Sequence, residues 1–503
     1  MRLVNGQFKG VILFYTQPNV LFNLYFWLHI GFFMSKVIGR KSEINTLHRA
    51  IKSDKSELIA VYGRRRVGKT FLIRETYKRE MIFEVSGIPD GTYNQQLTNF
   101  FNKIKEKSSK FKKQNTPKDW LEAFTILGEY ISGLKSFEKK VVFIDELPWM
   151  HTPKSNFISL FAHFWNDYCS KRDDLVVVVC GSAASFMINK VINDRKGLHN
   201  RISYPIKLSP FNLSETELFL KSKKINLGRY DYLQIYMAIG GIPHYLDKII
   251  PGDSVATAID RLCFRTGGPL VDEFNIVFAS LFENSSNHEK IVEALAISKK
   301  GLTREEIVSK TGLSSGGSLT RTLNELRESG FISDYKPLNR IKKEAFYRLS
   351  DEYALFYVKY MKNNSDASWT TLYNSRSYIS WSGLAFEAVC LKHVTQIKKA
   401  LGIGGVSANS SSWRNAHAQI DLVIDRSDNC INLCEMKFSV SEFIISKAYK
   451  DSLLNKKREF SKELKNRKNI FVTMVTTFGV KSNSNNADSM DNEVTMDALF
   501  DNI

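Results

Sequence analysis

Residues 63–70 combine glycine, lysine and a hydroxyl group at a spacing that suits phosphate binding. The stretch fits the pattern G-x-x-x-x-G-K-[ST] and reads Gly63-Arg64-Arg65-Arg66-Val67-Gly68-Lys69-Thr70. Its glycines let backbone N–H groups curl around phosphate oxygens, Lys69 can reach the β and γ phosphates, and the Thr70 hydroxyl can ligate Mg²⁺. A strand-like run, SELIAVYG, precedes the loop, and a helical run, KTFLIRETYKRE, follows it. This context predicts that residues 63–71, Phe71 included, bind ATP and Mg²⁺.

Acidic residues that could complete this site end the apolar run KKVVFIDE. We expect Asp145 to hold Mg²⁺ and Glu146 to polarise the attacking water. Ser182, at the end of VVVVCGS, is either a sensor of the γ-phosphate or the N-cap of a following helix. The arginines at 64–66 occupy variable positions of the loop, so solvated surface and contact with a neighbouring domain are alternatives to phosphate contact.

A second group of candidate catalytic residues lies in AQIDLVIDRSDNCINLCEMKFS. Two strands joined by the tight-turn composition RSDN would bring Asp421 alongside Glu435. Glu435 and Lys437 are two residues apart and therefore share a strand face. Two adjacent carboxylates repel each other unless a cation lies between them, so the pair predicts Mg²⁺. Lys437 could orient or activate a water and stabilise charge on a phosphate.

The surrounding elements divide the chain into segments. Strands and helices alternate over residues 34–210, which predicts a doubly wound α/β, P-loop core. Residues 211–285 are mainly helical, as a lid would be. Residues 286–361 give three short helices, then a strand, a basic turn and a strand, the order of a winged helix-turn-helix. Residues 362–503 form a final α/β module.

The predicted winged helix carries basic residues at two places. Its third helix contains Arg321, Asn324 and Arg327, and its wing contains Lys336, Arg340, Lys342 and Lys343. This arrangement can enter a major groove and contact phosphates. The alternative is a winged helix that acts only in packing or dimerisation.

Composition narrows the class of protein. The chain has 503 residues, 43% of them hydrophobic and 24% charged, which is typical of a globular protein of about three domains. The net charge of +19 favours a polyanionic partner, either nucleic acid or an anionic membrane surface. Six cysteines without a C-x-x-C pair indicate reduced packing residues in a cytoplasmic protein.

Residues 1–33 differ from the rest of the chain. The stretch 10–33 is apolar and long enough for one membrane span, but Pro18, Asn19, Asn23 and His29 make it a poor one. We expect Met34 to be the true start and residues 1–33 to be a non-native or flexible extension. A membrane anchor is the alternative.

The nucleotide motifs resemble those of prokaryotic AAA/STAND-type ATPases, often called archaeal ATPases. The family's opening F/V-I-G-R-x-x-E element is matched from Val37 to Glu43, and its V-Y-G-R-R-R-V-G-K-T element is matched throughout. Its G-G-x-P-x-Y-L element is matched from Gly240 to Leu246. The resemblance implies that Gly39 and Arg40 line the adenine site and that Pro243 touches nucleotide from the lid. It covers about residues 36–503. Arg195 and Arg201 are the candidates for an arginine finger by position, and the alternative is that they are solvated arginines of a loop.

The C-terminal residues are similar to the PD-(D/E)XK nuclease core, which has an acid, a spacer and then E-x-K on the next strand. The family's helix acid is matched by Glu387 in GLAFE. The residue before Asp421 is not proline, a departure from the usual pattern. The resemblance implies DNA cleavage by Glu387, Asp421, Glu435 and Lys437. It also places Tyr449 and Lys450 on the following helix, near the substrate backbone.

Two functions therefore follow from the sequence. The first is an ATP-hydrolysing protein that binds DNA and cuts it with Mg²⁺. The second is a nucleotide-dependent switch that binds DNA or a protein and carries a silent nuclease-like fold. A homo-oligomer is compatible with both, whereas a membrane partner requires residues 1–33 to be a true anchor.

Overall fold

The computed structural model describes residues 37–135, 138–195, 197–282, 284–298, 301–336, 338, 345–362, 368–373, 375–464, 467–486 and 488–502. The apolar stretch 10–33 and three of the predicted wing residues, Arg340, Lys342 and Lys343, lie outside these ranges.

The first part of the chain forms a five-stranded parallel sheet in the order β2-β3-β4-β1-β5. Its strands are β1 (Glu57–Tyr62), β2 (Met81–Ser86), β3 (Lys140–Asp145), β4 (Leu175–Gly181) and β5 (Tyr204–Lys207). Every residue of β3 and β4 is buried, as expected for central strands covered on both faces. Because the strands are parallel, the residues that follow β1, β3 and β4 meet at one edge of the sheet.

Helices cover both faces of this sheet. They are α1 (Lys41–Ile51), α2 (Lys69–Thr76), α3 (Tyr93–Lys107), α4 (Trp120–Ser132), α5 (Leu147–Met150), α6 (Phe157–Asp167) and α7 (Ala184–Phe186). Alternate residues of β1 enter different cores: Ile59 and Val61 pack in one, and Leu58 and Ala60 in the other. This period-two division confirms a doubly wound α/β domain.

A helical segment, residues 213–281, follows the sheet. It contains α8 (Leu213–Ser222), α9 (Arg229–Ile239), α10 (Pro243–Leu246), α11 (Val255–Cys263) and α12 (Glu273–Leu281). Residues 232–239 of α9 are all buried, so this helix lies at the centre of the segment. The core that contains Ile59 continues through α9 into the rest of the chain without a break.

The next part, which we term the three-stranded unit (residues 286–349), has three helices and a small antiparallel sheet. Its elements are α13 (Ser286–Ile297), β6 (Leu302–Thr303), α14 (Arg304–Thr311), α15 (Gly317–Glu328), β7 (Ile332–Tyr335) and β8 (Phe346–Leu349). The strand order is β6-β8-β7. Two short helices, α16 (Glu352–Phe356) and α17 (Trp369–Leu372), connect this unit to the last part of the chain.

The last part, which we term the C-terminal sheet unit (residues 376–502), is built on a mixed sheet in the order β13-β12-β11-β10-β9. Its helices are α18 (Arg376–Lys392), α19 (Val394–Ala400) and α20 (Lys447–Glu463). Its strands are β9 (Ala408–Arg414), β10 (Gln419–Arg426), β11 (Cys430–Lys437), β12 (Asn469–Thr476) and β13 (Asn492–Thr495). The β9–β10 and β10–β11 pairs are antiparallel, and the β11–β12 and β12–β13 pairs are parallel. Helix α20 is the crossover that parallel β11 and β12 require.

Within the described ranges, no helix combines the length and apolar character needed to cross a membrane. All six cysteines are unpaired, and five of them are buried, as the sequence predicts for packing residues.

Candidate nucleotide site and candidate metal site

The loop between β1 and α2 has positive φ angles at two of its glycines. Gly63 has φ of 141° and Gly68 has φ of 88°, values that disfavour any residue with a side chain. A Cβ at Gly63 would also lie 2.3 Å from the Leu208 carbonyl oxygen. A Cβ at Gly68 would meet no heavy atom within 4 Å, so the space in front of the start of α2 is open to a ligand. The loop is therefore shaped to admit phosphate at the helix N-terminus.

Lys69 is buried in this loop and its ammonium group has three acceptors. It donates to the backbone oxygens of Gly63 and Arg64, both at 2.9 Å, and to Ser182 Oγ at 3.0 Å. A buried ammonium group requires such partners. Phosphate oxygens can take their place, because they offer the same hydrogen bonds together with a negative charge.

The two residues predicted to hold Mg²⁺ are in contact. Thr70 Oγ1 donates to Asp145 Oδ2 at 2.7 Å, and Asp145 Oδ1 accepts from the Glu146 amide at 3.0 Å. Burial raises the pKa of Asp145, and the hydrogen bond from Thr70 opposes that rise. A hydroxyl and a carboxylate at the ends of adjoining elements are oxygen ligands of the type that Mg²⁺ takes, so these residues fit the ion.

Ser182 forms hydrogen bonds with both Lys69 and Glu146. Its Oγ donates to Glu146 Oε1 at 2.6 Å, and its amide donates to Glu146 Oε2 at 3.1 Å. The N-cap of α7 is Ala183, and no side chain caps this helix, so the alternative role of Ser182 as an N-cap is wrong. Glu146 itself has φ of 44°, a costly value for a residue other than glycine. Lys69, Ser182 and Glu146 are therefore joined in one series of hydrogen bonds at the carboxyl edge of the sheet.

A cavity of about 580 Å³ adjoins the loop. Gly39, Arg40 and Gly63 line it on one side, and Phe211 and Tyr236 on another. The size lies within the range of small-molecule sites. Pro243, the lid residue expected at the nucleotide, is not among the lining residues. The C-terminal sheet unit does contribute, through Lys392 and His393, which the sequence did not predict.

Arg40 is anchored within this cavity. Its guanidinium lies 4.5 Å from the centre of the Phe211 ring, and its Nη2 donates to the Val67 carbonyl oxygen at 3.3 Å. Its amide donates to Glu215 Oε1 at 2.8 Å. A Cβ at Gly39 would lie 2.6 Å from that same glutamate oxygen, which explains the glycine. Arg40 therefore connects the P-loop, through Val67, to the helical segment, through Glu215.

Two of the loop arginines contact neighbouring segments through their side chains. Arg64 forms a buried ion pair with Asp351, at the N-terminus of α16. Arg66 donates to Glu273 from Nε at 2.9 Å and from Nη2 at 3.1 Å, at the start of α12. The sequence left phosphate contact, solvated surface and contact with a neighbouring domain as alternatives for these arginines. Arg64 and Arg66 both make the last kind of contact.

The other predicted loop residues have simpler surroundings. Arg65 is partly exposed, Val67 is buried in the core, and the Phe71 side chain is 50% exposed. Arg195 and Arg201, the candidates for an arginine finger, are both exposed.

The C-terminal candidate residues converge on one edge of the mixed sheet. The register Leu422↔Cys434, continued by one residue, sets Asp421 opposite Glu435. Glu387, on α18, faces the same place: burial first, and then the charge of Asp421, raise its pKa to about 8. Burial also raises the pKa of Glu435, which is 2% exposed. Raised pKa values in grouped acids indicate a place that would bind a cation.

The backbone at Asp421 is irregular in a way that the sequence did not reveal. The β9–β10 register shifts between Ile420 and Val423, so an extra residue is inserted there. As a result, Ile420 and Val423 enter the same core although three positions separate them. Such a bulge turns a side chain away from simple alternation. The tight turn therefore predicts that Asp421 lies opposite Glu435, but alternation along QIDLVID does not predict the local geometry of Asp421.

Lysines accompany these acids. Lys456 Nζ donates to Glu435 Oε1 at 2.6 Å, and Lys437 Nζ lies 5.1 Å from the centre of the Tyr449 ring. The Tyr449 hydroxyl donates to Glu435 Oε2 at 3.4 Å, whereas Lys450 pairs with Asp488 at the surface. Sequence patterns did not single out Lys456. The helical spacing of Tyr449, Leu453, Lys456 and Phe460 could have indicated it, since these positions share one face of α20.

The described residues include no group of three or more histidine, cysteine, aspartate or glutamate side chains that could hold a metal ion. The C-terminal acids therefore offer Asp421 and Glu435 as the candidate pair of ligands, and Glu435 would have to exchange Lys456 for the ion.

Comparison with known proteins defines the class of the first part of the chain. Residues 38–249 match a family described as an ATPase domain predominantly from Archaea, so they form an archaeal-type ATPase domain. An uncharacterized protein of Methanocaldococcus jannaschii is 24% identical over 424 residues, which cover 82% of this chain and 90% of the relative. An uncharacterized ATP-binding protein of the same organism is 43% identical over 49 residues, 10% of this chain and 83% of the relative.

Solved structures resemble the chain at lower identity. The Walker-type ATPase of Pyrococcus abyssi is 17% identical with a TM-score of 0.47, and the match covers 65% of this chain and 97% of that one. The ORC2 protein of Aeropyrum pernix is 16% identical with a TM-score of 0.39, covering 65% and 95%. The family match alone confirms the coarser part of the expectation, an archaeal-type ATPase domain over residues 38–249.

Proposed function

We propose that this chain hydrolyses ATP at the loop of residues 63–70 and uses a second, C-terminal site to cut DNA. The observation that carries the first part is the contact of Thr70 with Asp145, 2.7 Å apart, beside the buried ammonium group of Lys69. Bound Mg²⁺ would neutralise charge on the β and γ phosphates. Lys69 binds the phosphates, and Glu146 accepts a proton from the attacking water once it is released from Ser182.

The test of the ATPase is a pair of variants. Lys69→Ala should abolish ATP binding, because it removes the ammonium group that is buried against the phosphate space. Glu146→Gln should bind ATP and turn it over at least about tenfold more slowly, since it removes the general base. Lys52→Ala, an exposed lysine after α1, is the matched control. Normal turnover in both site variants would refute the assignment.

The second part of the proposal concerns the fold of the C-terminal sheet unit. Helix α18, three antiparallel strands, the crossover α20 and a parallel strand follow the order of PD-(D/E)XK nucleases. The carboxylates of Asp421 and Glu435 would hold Mg²⁺, which supplies a polarised phosphate and a more acidic water when bound. Lys437 stabilises charge on the phosphate. Water adds to phosphorus and one P–O bond breaks, which leaves a phosphate monoester and a hydroxyl group.

The cleavage test is nicking of supercoiled plasmid by the full chain in Mg²⁺ or Mn²⁺, with and without ATP. Asp421→Ala should lose all nicking. Asp428→Ala is the matched control, because this acid lies on the turn between β10 and β11 and is paired with Arg426 at the surface. Equal nicking by wild type and Asp421→Ala would reveal a contaminating nuclease and would refute the site.

The three-stranded unit supplies the DNA contact in this proposal, as a winged helix. Its element order and antiparallel strands support that assignment. Helix α15 packs against α7 of the ATPase domain, so base reading by this helix is restricted. Arg321 pairs with Glu325, and Arg327 with Glu328, which directs both arginines along the helix surface. Backbone contact is therefore the main mode we propose.

A specific observation favours the alternative, a nucleotide-dependent switch with a silent C-terminal site. Lys456 already compensates the charge of Glu435 at 2.6 Å, and a pKa of about 8 keeps Glu387 mostly protonated at neutral pH. A site satisfied in this way needs no metal. DNA binding that depends on ATP, combined with no cleavage under any divalent ion, would support the switch. Formation of a homo-oligomer stays a prediction under both functions.

A further inference from the structure

The candidate cleavage site is not enclosed by the C-terminal sheet unit alone. A cavity of about 70 Å³ lies between that unit and the three-stranded unit. Glu387 and Asp421 line it from one side, and Tyr335 and Arg348, on β7 and β8, line it from the other. By the volume that one water requires, the cavity has room for about five waters, which is enough for a phosphate group.

The two units are joined at this cavity by direct contacts. The Leu338 amide donates to the Ser412 carbonyl oxygen at 2.9 Å. The guanidinium of Arg414, at the end of β9, lies 3.9 Å from the centre of the Phe346 ring. The small antiparallel sheet is thus seated against β9, next to the strand that carries Asp421. Its side chains are consequently part of the surroundings of the acids.

Arg348 stands out among those side chains. Its guanidinium stacks 3.8 Å from the centre of the Tyr335 ring, which fixes the plane of the group. Among the residues that the structure describes, this guanidinium has the ring contact with Tyr335 but no hydrogen bond and no ion pair. Its charge nevertheless reaches Glu387, whose pKa it lowers against the larger effect of burial. The Arg348 guanidinium is therefore held in a fixed plane beside Glu387 and Asp421, and no acceptor among the described residues takes its N–H groups.

That combination matches the chemistry of a phosphodiester. A guanidinium presents paired N–H donors in a planar fork that fits two oxygens of one phosphate. The acids beside it are suited to a cation on the other side of the same phosphate. A structural arginine at this position would be expected to form an ion pair with Glu387 or Asp421.

We propose that Arg348 positions the phosphodiester that is to be cut, so that the cleavage site is composite and takes a residue from each unit. The inference rests on the proposed nuclease function. It goes beyond that function, because Arg348 lies on β8 of the three-stranded unit and not on the unit that carries the acids. It also specifies the ligand as the nucleic-acid backbone, contacted at a single phosphate without base recognition.

The test combines cleavage and binding by the full chain. Arg348→Ala should lower kcat/KM for a fluorescent single-stranded oligodeoxynucleotide by about 10- to 100-fold, the effect of losing one charge-assisted contact. Arg348→Lys keeps the charge without the fork and should recover only part of the loss. Arg458→Ala, an exposed arginine on α20, is the matched control and should equal wild type.

Two further measurements separate positioning from a purely structural role. In the cleavage-inactive background Asp421→Asn, adding Arg348→Ala should weaken binding of the same oligonucleotide by about tenfold. A phosphorothioate oligonucleotide should slow wild type more than it slows Arg348→Ala, since the missing fork no longer senses the replaced oxygen. A change in thermal stability alone would move neither quantity.

The outcomes are distinct. If wild type nicks DNA and Arg348→Ala does so at the wild-type rate or faster, the positioning role is refuted while the nuclease stands; a faster rate would mean that Arg348 covers the site. If wild type cuts nothing, the nuclease and the positioning role both fail. Loss of kcat/KM, weaker binding and a smaller phosphorothioate effect together support the proposal.

Discussion

Replacing Asp351 by alanine should destabilise the protein strongly and loosen the P-loop from α16. The Asp351 side chain is 4% exposed and pairs with Arg64, whose side chain is 3% exposed. Its other oxygen, Oδ1, accepts from the Ala354 amide at 2.7 Å and so caps α16. One substitution therefore removes an ion-pair partner and a helix cap at the same position.

The magnitude can be worked from these two losses. Leaving a buried charge without its partner costs about 3–5 kcal/mol. Losing an aspartate N-cap costs about 1 kcal/mol more. The Arg64 guanidinium also lies 4.7 Å from the centre of the Phe331 ring, and both residues of the pair line the cavity beside the P-loop, where water can enter. We therefore expect Asp351→Ala to lower the free energy of unfolding by about 4 kcal/mol, which is the lower end of the sum of the ion-pair and cap losses.

The assay is urea denaturation of the full chain, with a double-mutant cycle on Arg64→Met and Asp351→Asn. Asparagine keeps an acceptor for the cap, so this cycle isolates the ion pair. Hydrogen exchange at the Ala354 amide reports whether α16 opens locally. A coupling energy under about 1 kcal/mol, the value of an exposed pair, would refute the reasoning, because it would mean that solvent screens the pair.

Two further predictions concern the C-terminal acids. Glu387 has a folded pKa of about 8 against an unfolded value near 4.5, so the folded state binds more protons between these values and stability should fall as pH rises through that window. Glu387→Gln should remove this pH dependence and raise the free energy of unfolding by roughly 3–5 kcal/mol at alkaline pH. The measurement is the urea midpoint in EDTA across the window, and an unchanged pH slope would contradict the prediction. Lys456→Ala should destabilise the protein in EDTA by roughly 3–5 kcal/mol, because Glu435 loses its partner. Added Mg²⁺ should restore that loss by binding in place of the lysine, and a melting temperature that does not respond to Mg²⁺ would count against the metal site.

Local patterns in the sequence predicted the sheet, the P-loop and the order of the helices. The apolar runs of β3 and β4 are long enough to specify buried strands, and the glycine spacing specifies the loop between β1 and α2. The pairing of Asp421 with Glu435 was also predictable, because a tight turn fixes the register of a hairpin. These features depend on residues that are close in the chain.

Contacts between distant parts of the chain could not be read in the same way. Arg64 and Asp351 are 287 positions apart, and no periodicity relates them. The bulge at Asp421 depends on how β10 pairs with β9, which is set by packing rather than by the composition of either strand. The place of Arg348 beside Glu387 depends on how two units dock. Sequence patterns identified the acids and Lys437, but not Lys456 or Arg348.

The two candidate sites share a structural element, and this limits how independently they can behave. Helix α18 carries Glu387, and about 7.5 Å further along, by the rise of an α-helix, it carries Lys392, which lines the cavity beside the P-loop. Lys392 is fixed to Glu352 at 2.6 Å, one residue after the partner of Arg64. His393, whose pKa burial lowers to about 4, is neutral and accepts from the Leu213 amide at 3.1 Å. Any displacement of this end of α18 must therefore break the ion pair of Lys392 or move Glu387 with the helix.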